Sequence, residues 1–155
     1  MKSKFLFILL SCVSLTLAAQ TSVQFEGKSF FALSVANTAT TSAWYEKLFD
    51  LKLVNEIKTP DGKIHVRIIG NDHLLLEILQ NSDAKSLKTL GIENPSKAHG
   101  YFKVGFYVRD LASCEKYFRE NNVEIKHSFD DKPTASKVII ISDINGQLIQ
   151  FIQKL

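Results

Sequence analysis

The side chains able to do chemistry are few and scattered. Four histidines and two cysteines occur in 155 residues. Arg67, Glu77, Lys103, Tyr107 and Gln150 interrupt stretches in which apolar residues alternate with other types, and Phe30 stands in a similar stretch. Alternation of period two sends successive side chains to opposite faces of a strand. The apolar set takes one face and these six residues take the other. Lys103, Arg67 and Tyr107 would there orient a carboxylate or phenolic ligand. His73 and Glu77 are four apart, about 13 Å along a strand, too far to share a metal ion. His65 and Glu77 fall on neighbouring strands, within reach of each other. His99 precedes a strand and His127 lies near a loop. Cys114 has no base beside it in the chain, which argues against nucleophilic catalysis and for burial in a helix. The sequence carries no Gly-rich phosphate loop, no Gly-x-Ser-x-Gly elbow and no Cys-x-x-Cys pair.

The elements that must position these residues belong to one domain. A chain of this length that is 45% hydrophobic and 23% charged buries one core and is too apolar for disorder. Its formal net charge of +3 is not clustered, so it gives no nucleic-acid signature. Residues 1–20 read as a secretory leader. Lys2 and Lys4 precede an apolar run from Phe5 to Leu17, and small Ala18 and Ala19 precede Gln20. That run of about 13 residues is short for a membrane span, which needs roughly 20. Cleavage after Ala19 is the expectation, with lipid attachment at Cys12 as the minor alternative. Removing 19 residues from 155 leaves 136, residues 20–155. Losing Lys2 and Lys4 leaves 17 basic against 16 acidic residues, a net charge of +1. The mature chain keeps only Cys114, has no stable span and is exported.

Two parts of the chain are copies. Val35 matches Val108, Asn37 matches Asp110, Ala39 matches Ala112, Trp44 matches Tyr117 and Tyr45 matches Phe118. Every pair is about 73 positions apart, and the register persists to Glu77 and Gln150. Each copy reads strand, helix, strand, strand, strand. The first unit covers about 29–80, a polar linker 81–100, and the second unit about 101–153. Helices are expected over Thr38–Phe49, capped by Asn37 and stopped at Asp50, and over Leu111–Glu120, capped by Asp110. A short helix is expected around Ala84–Leu90, and Asn145-Gly146 signals a tight hairpin.

Alternation then assigns faces. Phe31, Leu33, Val35, Ile64, Val66, Ile68, Leu74, Leu76, Ile78, Phe102, Val104, Phe106, Ile149 and Phe151 go inward. His65 and Arg67 go to the other face with Phe30, Glu77, Lys103, Tyr107 and Gln150. Val138–Ile141 is apolar on both faces and reads as an interior strand. The mixed second face suits a concave ligand cleft, the alternative being a face covered by a partner subunit.

The phrases FALSVANTATTSAWYEKLFDLKLV, FKVGFYVRDLASCEKYF and SDINGQLIQFI, arranged as two βαβββ units, resemble the vicinal oxygen chelate superfamily. Glyoxalase I, extradiol dioxygenases, fosfomycin-resistance enzymes and bleomycin-binding proteins belong to that group. The likeness covers about 29–153. It implies an α+β fold in which two βαβββ repeats pair their sheets into an open barrel-like cleft, the glyoxalase/bleomycin-resistance fold. It also implies a small-molecule ligand and a homodimer.

The resemblance further implies where a metal would sit. The metal-ligand places of that superfamily fall here on Phe30, Glu77, Lys103 and Gln150. Only Glu77 is an ordinary ligand, so no metal and no cofactor is expected. Glu77 and Lys103 would instead form a buried ion pair. The reading favoured is an exported, metal-free small-molecule binding module rather than an enzyme. The alternative is a lyase, isomerase or dioxygenase of the same superfamily with a nonstandard metal site at Glu77 with His65 or His99.

Overall fold

Both helices begin where the sequence supplies a cap. In the computed structural model, Asn37 Oδ1 accepts from the Thr40 amide at 2.9 Å and opens α1 (Thr38–Phe49). Asp110 Oδ1 accepts from the Ser113 amide at 3.0 Å and opens α2 (Leu111–Glu120). Such a cap satisfies an amide that has no partner inside the helix. Asp50 stops α1 in the left-handed region at φ 48°, and Asn122 takes φ 55° just beyond α2. Residues 28–155 are described, other than Asn94 and Ala98. The expected leader, its cleavage point and Cys12 lie outside the described residues.

The strands are β1 (Ser29–Ser34), β2 (Lys52–Lys58), β3 (Ile64–Gly70), β4 (Leu74–Asn81), β5 (Lys103–Tyr107), β6 (Ile125–Asp131), β7 (Ser136–Ser142) and β8 (Leu148–Lys154). They form two four-stranded sheets, ordered β1-β4-β3-β2 and β5-β8-β7-β6. The duplication extends to the pairing. β1 runs parallel to β4 with Ser29 opposite Leu74, and β5 runs parallel to β8 with Lys103 opposite Leu148. Both registers are offsets of 45, as 74 less 29 and 148 less 103 show. The outer strands β2 and β6 each carry an irregularity near their start, a device that twists an exposed edge away from pairing. The two sheets are not hydrogen-bonded into a closed barrel.

One core serves both units. Helix α1 lies over β3 and β4, and α2 over β7 and β8. Ile69, Leu76 and Ile78 are sealed beneath α1, while Ile139, Ile141 and Ile149 are sealed on the inner face of the second sheet. Each such side chain contributes about 1.5–3 kcal/mol on burial. Aromatic rings join the halves: Phe31 meets Phe106 at 6.0 Å, Phe49 meets Phe106 at 6.3 Å, and Phe49 stacks on Phe151 at 6.1 Å. Val138–Ile141 is buried on both faces, as its unbroken apolar run predicts. No helix among the described residues is long and apolar enough to cross a membrane.

One local expectation needs correction. Ala84–Leu90 is not a helix but a set of turns. Leu90 N reaches Ser86 O and Leu87 O, then Gly91 at φ 78° turns the chain back so that Ile92 N meets Leu87 O at 2.8 Å. That is the geometry of a helical turn closed at once by a left-handed glycine. Asn145-Gly146 does sit in a tight hairpin between β7 and β8. Asp143 N bonds Gln147 O at 2.9 Å and Gly146 N bonds Asp143 O at 3.1 Å, leaving a three-residue loop with Gly146 at φ 84°.

Candidate functional site

Residues paired across a ladder share a face, so register decides what lines the concave side. In the first sheet one such row is Ala32, Glu77, Ile68 and Asn55. In the second it is Gly105, Gln150, Ile140 and His127. Glu77 and Gln150 therefore hold equivalent places in the two units, on the face away from the helices.

The face assignment of β3 is reversed from the alternation reading. Arg67 pairs with Ile78, a sealed core residue, and Ile68 pairs with Glu77. Arg67 and His65 thus sit beneath α1, and Ile64, Val66 and Ile68 line the concave face. The reason lies in α1. Its N-terminal half buries Thr38, Thr41 and Ser42 rather than aliphatic groups, so the strand under it can be polar. His65 Nδ1 is 2.7 Å from Thr38 Oγ1 and its Nε2 is 2.6 Å from Glu56 Oε1. Arg67 lies 3.6 Å from Glu46 Oε1. Hydrogen bonding from His65 holds the Glu56 carboxyl below its usual range, with desolvation opposing. Arg67 is a structural residue of this interface and not a cleft residue. His65 and Glu77 are on opposite faces and cannot share a metal.

The structure brings Phe30 and Lys103 together. Strands β1 and β5 are the inner edges of their sheets, and a crevice of about 600 Å³ opens between them. Its walls are Phe30–Leu33, Tyr101–Gly105 and Gln147–Ile149, with Tyr45. This volume lies within the range of small-molecule sites, roughly 300–1,000 Å³. Phe30 is 58% exposed and Phe102 43%. Phe102 was expected in the core. It precedes the first residue of β5, so strand alternation does not govern it, and it lines the crevice with Tyr101 instead.

Glu77 and Gln150 are not on the walls of this crevice but pair with residues that are, Ala32 and Gly105. Glu77 is half-buried next to Ala32, and Gln150 is half-buried next to Gly105. Gln150 Oε1 is buried without a hydrogen-bond partner among the described residues. Gly105 leaves room beside it: a Cβ there would lie 3.7 Å from Gln150 O and 3.9 Å from Gln150 Cβ. The expected ion pair between Glu77 and Lys103 is not formed. Lys103 is exposed, with Nζ 6.0 Å from the Phe102 ring, and the ion pairs among the described residues do not include it. Full burial of two charges is costly, and solvent at the open β5 edge keeps the ammonium out. Tyr107 is 70% exposed beneath Lys154 Nζ at 5.7 Å, farther along β5 and outside the crevice. Cys114 is half-buried, and burial followed by the Asp110 charge raises its thiol above the usual range, which leaves it a poor nucleophile.

The donor set does not fit a resident metal ion. Phe30 offers no donor, Lys103 is a cation and Gln150 a neutral amide, so Glu77 stands as one carboxylate. Among the described residues no three histidine, cysteine, aspartate or glutamate side chains come together as metal ligands.

A family model described as Glyoxalase/Bleomycin resistance protein/Dioxygenase superfamily matches residues 29–151. No curated protein matches the chain. Among solved structures, a glyoxalase/bleomycin resistance protein/dioxygenase domain from Frankia sp. superposes with a TM-score of 0.68 at 11% identity, over 85% of this chain and 94% of that one. A glyoxalase family protein from Enterococcus faecalis gives 0.65 at 17% identity, over 81% and 94%. A fosfomycin resistance protein from Listeria monocytogenes gives 0.60 at 13% identity, over 85% and 96%. At these identities the likeness is one of fold.

Proposed function

Because the chain belongs to the glyoxalase/bleomycin resistance protein/dioxygenase superfamily, we propose that it is an exported small-molecule binding protein that uses this scaffold without a metal ion. The ligand sits in the crevice between β1 and β5. Phe30, Tyr101 and Phe102 give it apolar contact, and Lys103 supplies a charge at the rim. The observation that carries this reading is the orphaned Gln150 Oε1, which lies off the crevice wall but next to Gly105, a wall residue. A buried acceptor left without a donor costs about 1–3 kcal/mol. A ligand N–H or O–H reaching it through the space left by Gly105 removes that cost. The ligand class is therefore a small aromatic or phenolic compound with a hydrogen-bond donor and an anionic group for Lys103.

A thermal-shift panel of phenols and aromatic carboxylates tests this reading. Binders raise the melting temperature of the wild-type protein and have little effect on Phe30→Ala or Lys103→Ala. Equal shifts in all three proteins would remove the crevice from consideration. Export is tested by the intact mass of protein recovered from the source cell: loss of residues 1–19 supports it, and a retained leader in a cytosolic fraction refutes it.

A further inference from the structure

A second space of about 600 Å³ lies beyond the C-terminal end of β1. Its walls come from both units and from the linker between them: Ser34–Ala36, the turns over Ala84–Lys88 with Ile92 and Glu93, and the loop Asn145–Gln147. Gln147 lines both this cavity and the crevice, so one begins where the other ends.

Two features give it the makings of a site. First, the linker does not collapse onto the body. Among the described residues, every hydrogen bond made by residues 85–93 stays within that segment, as in Ser86 Oγ to Thr89 Oγ1 at 2.9 Å and Ile92 N to Leu87 O at 2.8 Å. The linker is a self-bonded flap with open space behind it. Second, the charged groups lining the cavity are not spent on one another, whereas Asn81, Ser86 and Asn145 are already hydrogen-bonded to neighbours. Lys85 and Lys88 are exposed and form no ion pair, the Gln147 side-chain amide makes no hydrogen bond among the described residues, and Glu93 is the one carboxylate in the lining. Two lysines against one glutamate leave the lining net positive. Val35 and Leu87 supply an apolar wall.

We propose that this cavity is a second small-molecule site, for an amphipathic organic anion. The anionic head is held by Lys85 and Lys88, and the apolar body lies against Val35 and Leu87. Glu93 keeps the local charge at a single net positive, which suits a monoanion over a polyanion.

Sodium octanoate is the probe, and amide chemical shifts of isotopically labelled protein are the readout. Saturable shifts are expected in residues 84–93 and 145–147. The Lys85→Met/Lys88→Met protein keeps the apolar stems and loses both charges. It is expected to bind octanoate roughly tenfold more weakly, as two rim charges warrant, while the amide spectrum elsewhere shows it folded. The Lys103→Ala protein is expected to bind octanoate as the wild type does. Shifts confined to 30–33 and 101–105 would assign the anion to the crevice and overturn the proposal. So would equal affinity in the double lysine variant, or no saturation at millimolar octanoate. None of these results bears on whether phenols bind at Gln150, so the two readings fail separately.

Discussion

Tyr45 donates its hydroxyl to Asp143 Oδ2 at 2.9 Å, across 98 residues and across the boundary between the two units. Both side chains are buried. Asp143 Oδ1 also accepts from the amides of Asn145 and Gln147, each at 2.8 Å, and Asn145 Nδ2 reaches Thr41 Oγ1 at 3.2 Å. Helix α1 is thereby pinned to the β7–β8 loop, which borders both cavities. The pin is not duplicated: Phe118 and Gly70 occupy the places 73 residues away from Tyr45 and Asp143, and neither can make this bond. Burial first, then the Asp143 charge, drives the tyrosine hydroxyl far above its ordinary range, so it remains a donor at every working pH.

Tyr45→Phe removes the donor and leaves a buried carboxylate oxygen short of a partner. The expected loss is about 1.5–3 kcal/mol, the range for a bond to a charged group, measured as a shift in urea midpoint with unchanged m-value. Tyr117→Phe, which loses only an exposed bond to Lys47 O, should cost less than half as much.

Acid should weaken the first unit through Glu56. Its folded-state carboxyl lies below the usual value of 4.5, because His65 hydrogen-bonds to it, with Lys58 and Arg67 adding favourable charge. A depressed carboxyl contributes stability that is present above its unfolded value and is lost as pH falls through its folded value. Unfolding midpoints of the wild type should therefore drop below pH 4.5 more steeply than those of Glu56→Gln. Parallel curves for the two proteins would show that the His65 contact carries no such dependence.

Gln150→Leu and Gly105→Ala separate fold from site. Leucine removes the orphaned oxygen, so the unliganded protein should be equally stable or gain about 1 kcal/mol. Alanine at 105 meets only ordinary contacts of 3.7–4.0 Å and should fold normally. Both changes fill or dry the space beside β8. Both should weaken ligand binding in titration calorimetry on the order of tenfold or more, as loss of one hydrogen bond to a donor group implies.

Much of this architecture is legible in the sequence, and for physical reasons. Asn37, Asp50 and Asp110 act locally, so both helix spans follow from capping and periodicity. The copies about 73 residues apart supply the topology without any long-range information. The faces of β3 were not legible because Ile64, Val66 and Ile68 satisfy a core pattern while lining a concave surface. Only the pairing of Arg67 with Ile78 reveals the reversal. The polar patch beneath α1 depends on Thr38 and Glu46 meeting His65 and Arg67, a match between elements that no single strand announces. Phe102 is expected in the core and Tyr101 is not placed at all for another reason: both lie outside the strand, where alternation says nothing.

Metal content most directly tests the claim that this scaffold binds its ligand without a metal ion. Protein purified without chelator should hold well under one equivalent of zinc, iron or manganese, and Glu77→Ala should not change that content. One equivalent of any of these metals in the wild type, lost on Glu77→Ala, would contradict the account and return Glu77 to the role of a ligand.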